Sequence, residues 1–114
     1  MSLQPHIQLS KEMTGARYAL LPGDPQRVDR IVNFLDNPQL LGWYQGIEIL
    51  VLSTGIGGPS TAIAIEELRQ IGVTTLIRIG SCGALQDNLA LGDVIIAHAA
   101  VMDDGTSRTY APAG

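Results

Sequence analysis

Two arginines stand where an ordinary solvated surface does not require them. Arg27 follows Leu21-Pro22-Gly23-Asp24-Pro25-Gln26, in the first turn of an expected helix, the end at which the dipole favours anions over cations. Arg78 sits one residue before the end of the apolar run Thr74 to Ile79, where burying a guanidinium is costly without a partner anion. Ser81 follows within Gly80-Ser81-Cys82-Gly83 and supplies a hydroxyl and a backbone N–H in a small anion-binding nest. Gly23 allows a ligand to approach the backbone closely. The planar fork of arginine suits bidentate contact with phosphate or carboxylate. Gly23, Arg27, Arg78 and Ser81 are therefore read as a site for a small anion. The alternatives are a solvated Arg27 on an ordinary capped helix and a salt bridge from Arg78 to Asp24 or Asp93.

Other candidates carry less chemistry. Thr54-Gly55-Ile56-Gly57-Gly58-Pro59-Ser60 has the look of a dinucleotide-binding glycine loop. Pro59 interrupts it, however, and the following strand ends in Arg-Ile-Gly with no acid for a ribose. A tight strand-to-helix turn is the better account. Cys82 lacks a histidine and carboxylate constellation and reads as a packed thiol. His6 and His98 are too isolated in sequence for a metal site, and His98 reads as a satisfied core histidine within a strand. Asp103-Asp104-Gly105-Thr106-Ser107 reads as a turn, with cation binding by the paired acids as the alternative.

The elements that must position these residues alternate between strand and helix. Arg17 to Pro22 reads as a short buried strand. Asp24 is a good N-cap and Pro25 a good first helical residue. Val28, Ile31, Val32 and Leu35 then fall on one helical face, and Asn37-Pro38 ends the helix. Ile47 to Leu52 is a second buried strand. The next helix places Ala64, Leu68 and Ile71 on one face with Glu66, Glu67, Arg69 and Gln70 opposite, and Gly72 closes it. Thr74 to Ile79 and Asp93 to Ala100 read as further strands. Near-continuous apolar strands alternating with helices imply parallel pairing with helices on both faces, an α/β fold. In such sheets ligands bind at the carboxyl ends of the strands, where all three glycine-rich turns lie.

The 114 residues amount to one domain. With 46% hydrophobic and 16% charged residues, the chain has apolar mass for a packed core and is not intrinsically disordered. No apolar run approaches the roughly 20 residues needed to cross a bilayer. The start, Met1 to Pro5, shows no secretory signal, and the single cysteine fits a reducing compartment, so a cytoplasmic address is expected. Eleven acids against seven bases give a net charge of −4, the wrong sign for a nucleic-acid binder.

Leu-Pro-Gly-Asp-Pro-Gln-Arg (21–27), Ser-Thr-Gly-Ile-Gly-Gly-Pro-Ser (53–60), Arg-Ile-Gly-Ser-Cys-Gly-Ala (78–84), Leu-Gly-Asp-Val-Ile-Ile (91–96) and Asp-Gly-Thr-Ser (104–107) occur in that order. Together they resemble the nucleoside phosphorylase superfamily, which includes uridine phosphorylase, hexameric purine nucleoside phosphorylase and methylthioadenosine nucleosidase. The segments at 53–60 and 104–107 look most like uridine phosphorylases, and the Gly-Ser-Cys-Gly turn is also similar to the purine enzymes.

The resemblance implies the N-terminal part of a three-layer α/β/α fold with a mostly parallel central sheet. It implies phosphate held by the backbone of Gly23, by Arg27 and Arg78, and by the hydroxyl of Ser81, with Ser81 also at the ribose. His6 would reach from an N-terminal arm into a neighbouring subunit's ribose site, which makes the protein a homo-oligomer, from a dimer up to a trimer of dimers. The implied reaction is attack of phosphate on the sugar C1′, releasing base and ribose 1-phosphate. No organic cofactor or catalytic metal is expected; phosphate is a co-substrate. Some members hold a monovalent cation at the subunit interface, near positions matching Ile56 and Ser60.

Two departures are visible. Between Leu41-Gly42 and Trp43-Tyr44 the family usually has a longer stretch, bearing an arginine that completes the neighbour's phosphate site and the acid of the cation site. The sequence also ends at Gly114, before the half that carries base recognition and the Met-Glu pair of the ribose site. Residues 1–114 are thus expected to form the N-terminal portion of one phosphorylase domain, inactive alone. The rival readings are a purine nucleoside phosphorylase and a non-catalytic phosphate- or nucleotide-binding fragment.

Overall fold

The computed structural model describes residues 3–35 and 41–111. It divides into two compact units, Met1–Ile79 and Gly80–Gly114. The first contains β1 (Tyr18–Pro22), α1 (Pro25–Val32), β2 (Leu41–Tyr44), β3 (Ile47–Val51), α2 (Gly58–Gln70) and β4 (Thr75–Ile79); the second contains the short α3 (Ser107–Tyr110).

The sheet order is β2-β3-β1-β4. β1 is the centre of a parallel trio, pairing with β3 through Ala19 and Leu50 and with β4 through Leu21 and Arg78. The ladder runs past the formal strand ends, since Thr54 N–H donates to the Pro22 carbonyl at 3.0 Å. This matches the expected parallel strands to within a residue or so at each end.

β2 is an addition that sequence reading did not supply. It runs antiparallel to β3, with Tyr44 opposite Ile47. The two-residue turn between them, Gln45-Gly46, has φ of +50° and +79°, the left-handed pair that a tight hairpin requires. A regular ladder therefore runs through the Gly42–Trp43 junction.

The chain moves from β1 to β3 on one side and then crosses back to β4 on the other. Right-handed crossovers in opposite directions put their helices on opposite faces of the sheet. The buried residues follow that division. Ala19, Leu21 and Leu50 share one cluster with Leu68, Ile71 and Val73 around α2 and with Leu9 and Ala16 of the N-terminal arm. Leu20 and Val51, paired in register, occupy the opposite face. That leaves the second face to α1, which packs on β1 and β3 and buries Val32.

Helix ends are set by local chemistry. The Asp24 carboxylate accepts from Gln26 N–H at 2.9 Å, capping α1. α1 ends at Val32, earlier than its apolar spacing predicts, and Ile31 and Val32 carbonyls then close short turns with Phe34 and Leu35. The Asn37-Pro38 stop lies outside the described residues. At the other helix, Gly72 adopts φ +107°. Its N–H bonds to the Arg69 carbonyl while Val73 N–H reaches Leu68, a Schellman closure that glycine makes inexpensive.

Four expectations are corrected. Asp93 to Ala100 is not a strand, and Val94 and Ile96 are about nine-tenths exposed. Branched apolar residues favour strands only where a neighbouring ladder satisfies their backbone, and none pairs with this segment among the described residues. His98 is accordingly exposed rather than a core histidine. Cys82 is exposed as well, at the rim of a small cavity with Leu89, Leu91 and Ile95. Glu67, expected on the solvent face of α2, is buried at 7% exposure, because the N-terminal arm folds over it.

Candidate functional site

Where the crossover direction reverses beside β1, the loops after neighbouring strands leave a crevice at the carboxyl edge. A cleft of about 690 Å³ lies there, lined by Gly23, Asp24, Arg27, Thr54, Gly57 and Arg78 among others. Ligand pockets commonly measure roughly 300–1,000 Å³. Three of the four residues read as an anion site thus meet in one cleft. Ser81 belongs to the second unit, and its role rests on the sequence alone.

Arg78 reaches the cleft from β4. It is exposed rather than buried, so the expected desolvation cost does not arise. Its Nη1 donates to the Leu21 carbonyl at 3.2 Å and also to the carbonyl of Ile79. Neutral carbonyls orient a guanidinium without neutralising its charge, which stays available to an anion. Gly23 makes this arrangement feasible, since Arg78 Nη2 lies 3.0 Å from where a Cβ at Gly23 would stand.

Arg27 enters from the first turn of α1 and is half-buried. The first amides of that helix are already in use. Pro25 has none, Gln26 N–H is taken by the Asp24 side chain and Arg27 N–H by the Asp24 carbonyl at 3.0 Å. What the cleft offers an anion here is side chains and the helix dipole rather than the first amides.

The loop after β3 forms the opposite wall. Gly55 and Gly57 have φ of +73° and +91°, and a Cβ at Gly55 would stand 2.7 Å from Ser60 Oγ. These glycines serve a sharp strand-to-helix turn, as the spacing of Pro59 implied. Ser60 Oγ donates to the Thr54 carbonyl at 2.5 Å, which holds the turn against the start of α2.

Sequence reading missed Ser53. Its hydroxyl donates to the Gly23 carbonyl at 2.7 Å and accepts from Gly55 N–H at 3.3 Å, tying the loop after β3 to the loop after β1. A hydroxyl residue at the carboxyl end of an internal parallel strand was the signal available.

His6 lies elsewhere. Its ring Nδ1 is 2.8 Å from Glu67 Oε1, and it lines a separate cavity of about 380 Å³ with Pro25, Ser53, Thr54 and Ser60. The two cavities share Pro25, Thr54 and Gly55 as walls. Burial alone would raise the Glu67 carboxyl. Hydrogen bonds from the His6 ring and from the amides of Ile7 and His6 outweigh it and hold the group below its ordinary value. Among the described residues, no cluster of histidine, cysteine and acidic side chains could hold a metal ion, and no helix is long and apolar enough to cross a membrane.

Comparison with known proteins gives a consistent answer. Residues 17–114 match the family model described as "Phosphorylase superfamily". Uridine phosphorylase from Haemophilus influenzae is 48% identical over 118 residues, covering 94% of this chain and 47% of that protein. Uridine phosphorylase from Thermococcus kodakarensis is 53% identical over 105 residues, covering 83% and 38%. A guanosine phosphorylase from Halorubrum lacusprofundi is 42% identical over 120 residues, covering 96% and 49%. The crystal structure of uridine phosphorylase from Vibrio fischeri superposes with a TM-score of 0.87 at 43% identity, over 96% of this chain and 50% of that one. The chain thus spans about half the length of the relatives it matches. With its motifs in order, its parallel trio of strands and its arginine-lined cleft at the switch in crossover direction, this chain belongs to the phosphorylase superfamily.

Proposed function

We propose that the protein of which this chain forms the N-terminal portion is a nucleoside phosphorylase of the uridine type. The observation that carries this reading is the meeting of Gly23, Arg27 and Arg78 at one cleft. Phosphate oxygen attacks the sugar C1′ as the C1′–N bond breaks with its electron pair leaving on the base. The products are free base and ribose 1-phosphate, with inversion at C1′. Positive charge develops on the ribose ring in the transition state, so a dianion held beneath C1′ stabilises it. The protein's part is positioning and electrostatics: Arg27 and Arg78 fix the phosphate and offset its charge, with Ser81 as a further hydroxyl donor by resemblance. No cofactor or metal enters this scheme. His6 serves the ribose of a neighbouring subunit, so the working form is a homo-oligomer, in the cytoplasm.

The uridine preference is supported by Ser53 to Ser60 and Asp104 to Ser107 and by the names of the relatives. A purine reading has one observation in its favour, the 42% identity to a guanosine phosphorylase. The deciding experiment is an assay of the full-length protein on uridine and guanosine with and without phosphate. The expected result is uracil and ribose 1-phosphate from uridine, formed only when phosphate is present. Preferential guanosine cleavage would select the purine reading. Phosphate binding without turnover of either nucleoside would leave a non-catalytic binding module.

A further inference from the structure

Glu67 is a buried carboxylate for which the proposed chemistry has no direct use. It receives three hydrogen bonds, all from the N-terminal arm: His6 N–H at 3.1 Å, Ile7 N–H at 2.9 Å and the His6 ring Nδ1 at 2.8 Å. Gln4 adds a side-chain bond to Gln70, three residues further along α2, at 3.3 Å. The arm is thus docked on one stripe of α2, and its fixed point is a single carboxylate. The His6 side chain nevertheless remains 64% exposed.

We propose that Glu67 is a positioning residue that sets the tautomer and direction of the His6 imidazole, so that Nε2 is presented as the acceptor for a ribose hydroxyl. An ionised carboxylate can only accept, and the depressed Glu67 carboxyl is ionised at neutral pH. Nδ1 must therefore carry the hydrogen in the pair, which makes Nε2 of the neutral ring a bare acceptor. The two backbone amides on the same carboxylate oxygens fix the arm itself, so ring orientation and arm position are set together. A sugar hydroxyl that donates to Nε2 meets a ring already in the right form, and little side-chain freedom is lost on binding. The inference rests on the reading of His6 as a ribose residue.

The first test needs no variant. Two-bond ¹H–¹⁵N correlation spectra of the full-length protein, ¹⁵N-labelled at histidine and recorded where the imidazole is neutral, should show His6 in the Nδ1–H form. Glu67→Gln, which offers at most one acceptor oxygen, should move it toward the Nε2–H form that prevails in free histidine. In steady-state assays Glu67→Gln should raise the nucleoside KM roughly tenfold, the size of one lost hydrogen bond, with the phosphate KM unchanged. His6→Ala should raise it similarly, and the double variant should add nothing further. A His6 in the Nε2–H form in the unaltered protein, or additive effects in the double variant, would overturn the proposal. An unchanged nucleoside KM in His6→Ala would instead remove the ribose role of His6, while the tautomer measurement judges the Glu67 contact separately.

Discussion

The guanidinium of Arg78 fills the space that a side chain on Gly23 would need, with Nη2 3.0 Å from the place of a Cβ there. Arg78 lies in β4 and Gly23 directly follows β1, its parallel neighbour, and the register of the two strands sets Leu21 beside Arg78. A methyl group at Gly23 meets the far end of a flexible side chain, so the chain should fold while Arg78 shifts. Gly23→Ala is expected to raise the phosphate KM severalfold and change the unfolding midpoint little. A loss of stability with an unchanged phosphate KM would separate Gly23 from the anion site.

Arg78 and Arg69 provide an internal comparison. Arg69 sits in the last turn of α2, away from the cleft, and both side chains are exposed. Charge-assisted hydrogen bonds contribute about 1.5–3 kcal/mol each, so Arg78→Ala should weaken phosphate binding by one to two orders of magnitude and Arg69→Ala hardly at all. Arg78→Lys should not restore it, because an ammonium lacks the planar fork. Equal effects from the two alanine variants would refute the assignment.

Ser53 links two loops through one hydroxyl. Its removal leaves the Gly23 carbonyl and the Gly55 amide without that partner. Ser53→Ala should cost about 1 kcal/mol of stability and raise the phosphate KM, since Gly23 loses its tether. Urea unfolding and initial rates on the same preparation check both halves.

Gly55 and Gly72 both hold positive φ, yet only Gly55 is crowded. Gly72→Ala isolates backbone strain, of order 1–3 kcal/mol. Gly55→Ala adds a clash with Ser60 Oγ and should cost clearly more. Matched denaturation curves would show the ranking.

Acid should act through Glu67. Its carboxyl lies below the ordinary value of 4.5 in the folded chain. A group depressed on folding contributes stability above its unfolded value, and that contribution fades as pH falls through the folded one. Glu67→Gln has nothing there to titrate. Its deficit relative to the unaltered protein should be full near about pH 7 and shrink toward about pH 3. A deficit constant across that range would mean that packing, not charge, is what Glu67 supplies.

What the sequence disclosed depended on how local the signal was. Asp24-Pro25, Gly72 and the apolar runs at 17–22 and 47–52 act over a few residues, and the elements they mark appear within a residue of where they place them. The cleft followed because strand ends in a parallel sheet share one edge. Glu67 could not be read this way, since α2 alone gives its carboxylate no reason for burial; the reason is an arm sixty residues away in sequence. Asp93 to Ala100 erred in the opposite sense, its composition satisfying half of what a strand needs and its surroundings not supplying the other half.

The central place of β1 has a consequence for the order of folding. The hairpin of β2 and β3 closes through two residues and can form within microseconds of its synthesis. β1 emerges from the ribosome earlier but pairs with β4 across 57 residues, and with β3 only after α1 and β2 are complete. Such distant pairings carry a loop-closure cost and slow the search for the native sheet. The nascent chain must therefore hold Tyr18 to Pro22, with the edge that faces β4 open, until Ile79 has cleared the exit tunnel. The arginine-lined cleft, built on the last of those pairings, is among the final features of the unit to take shape.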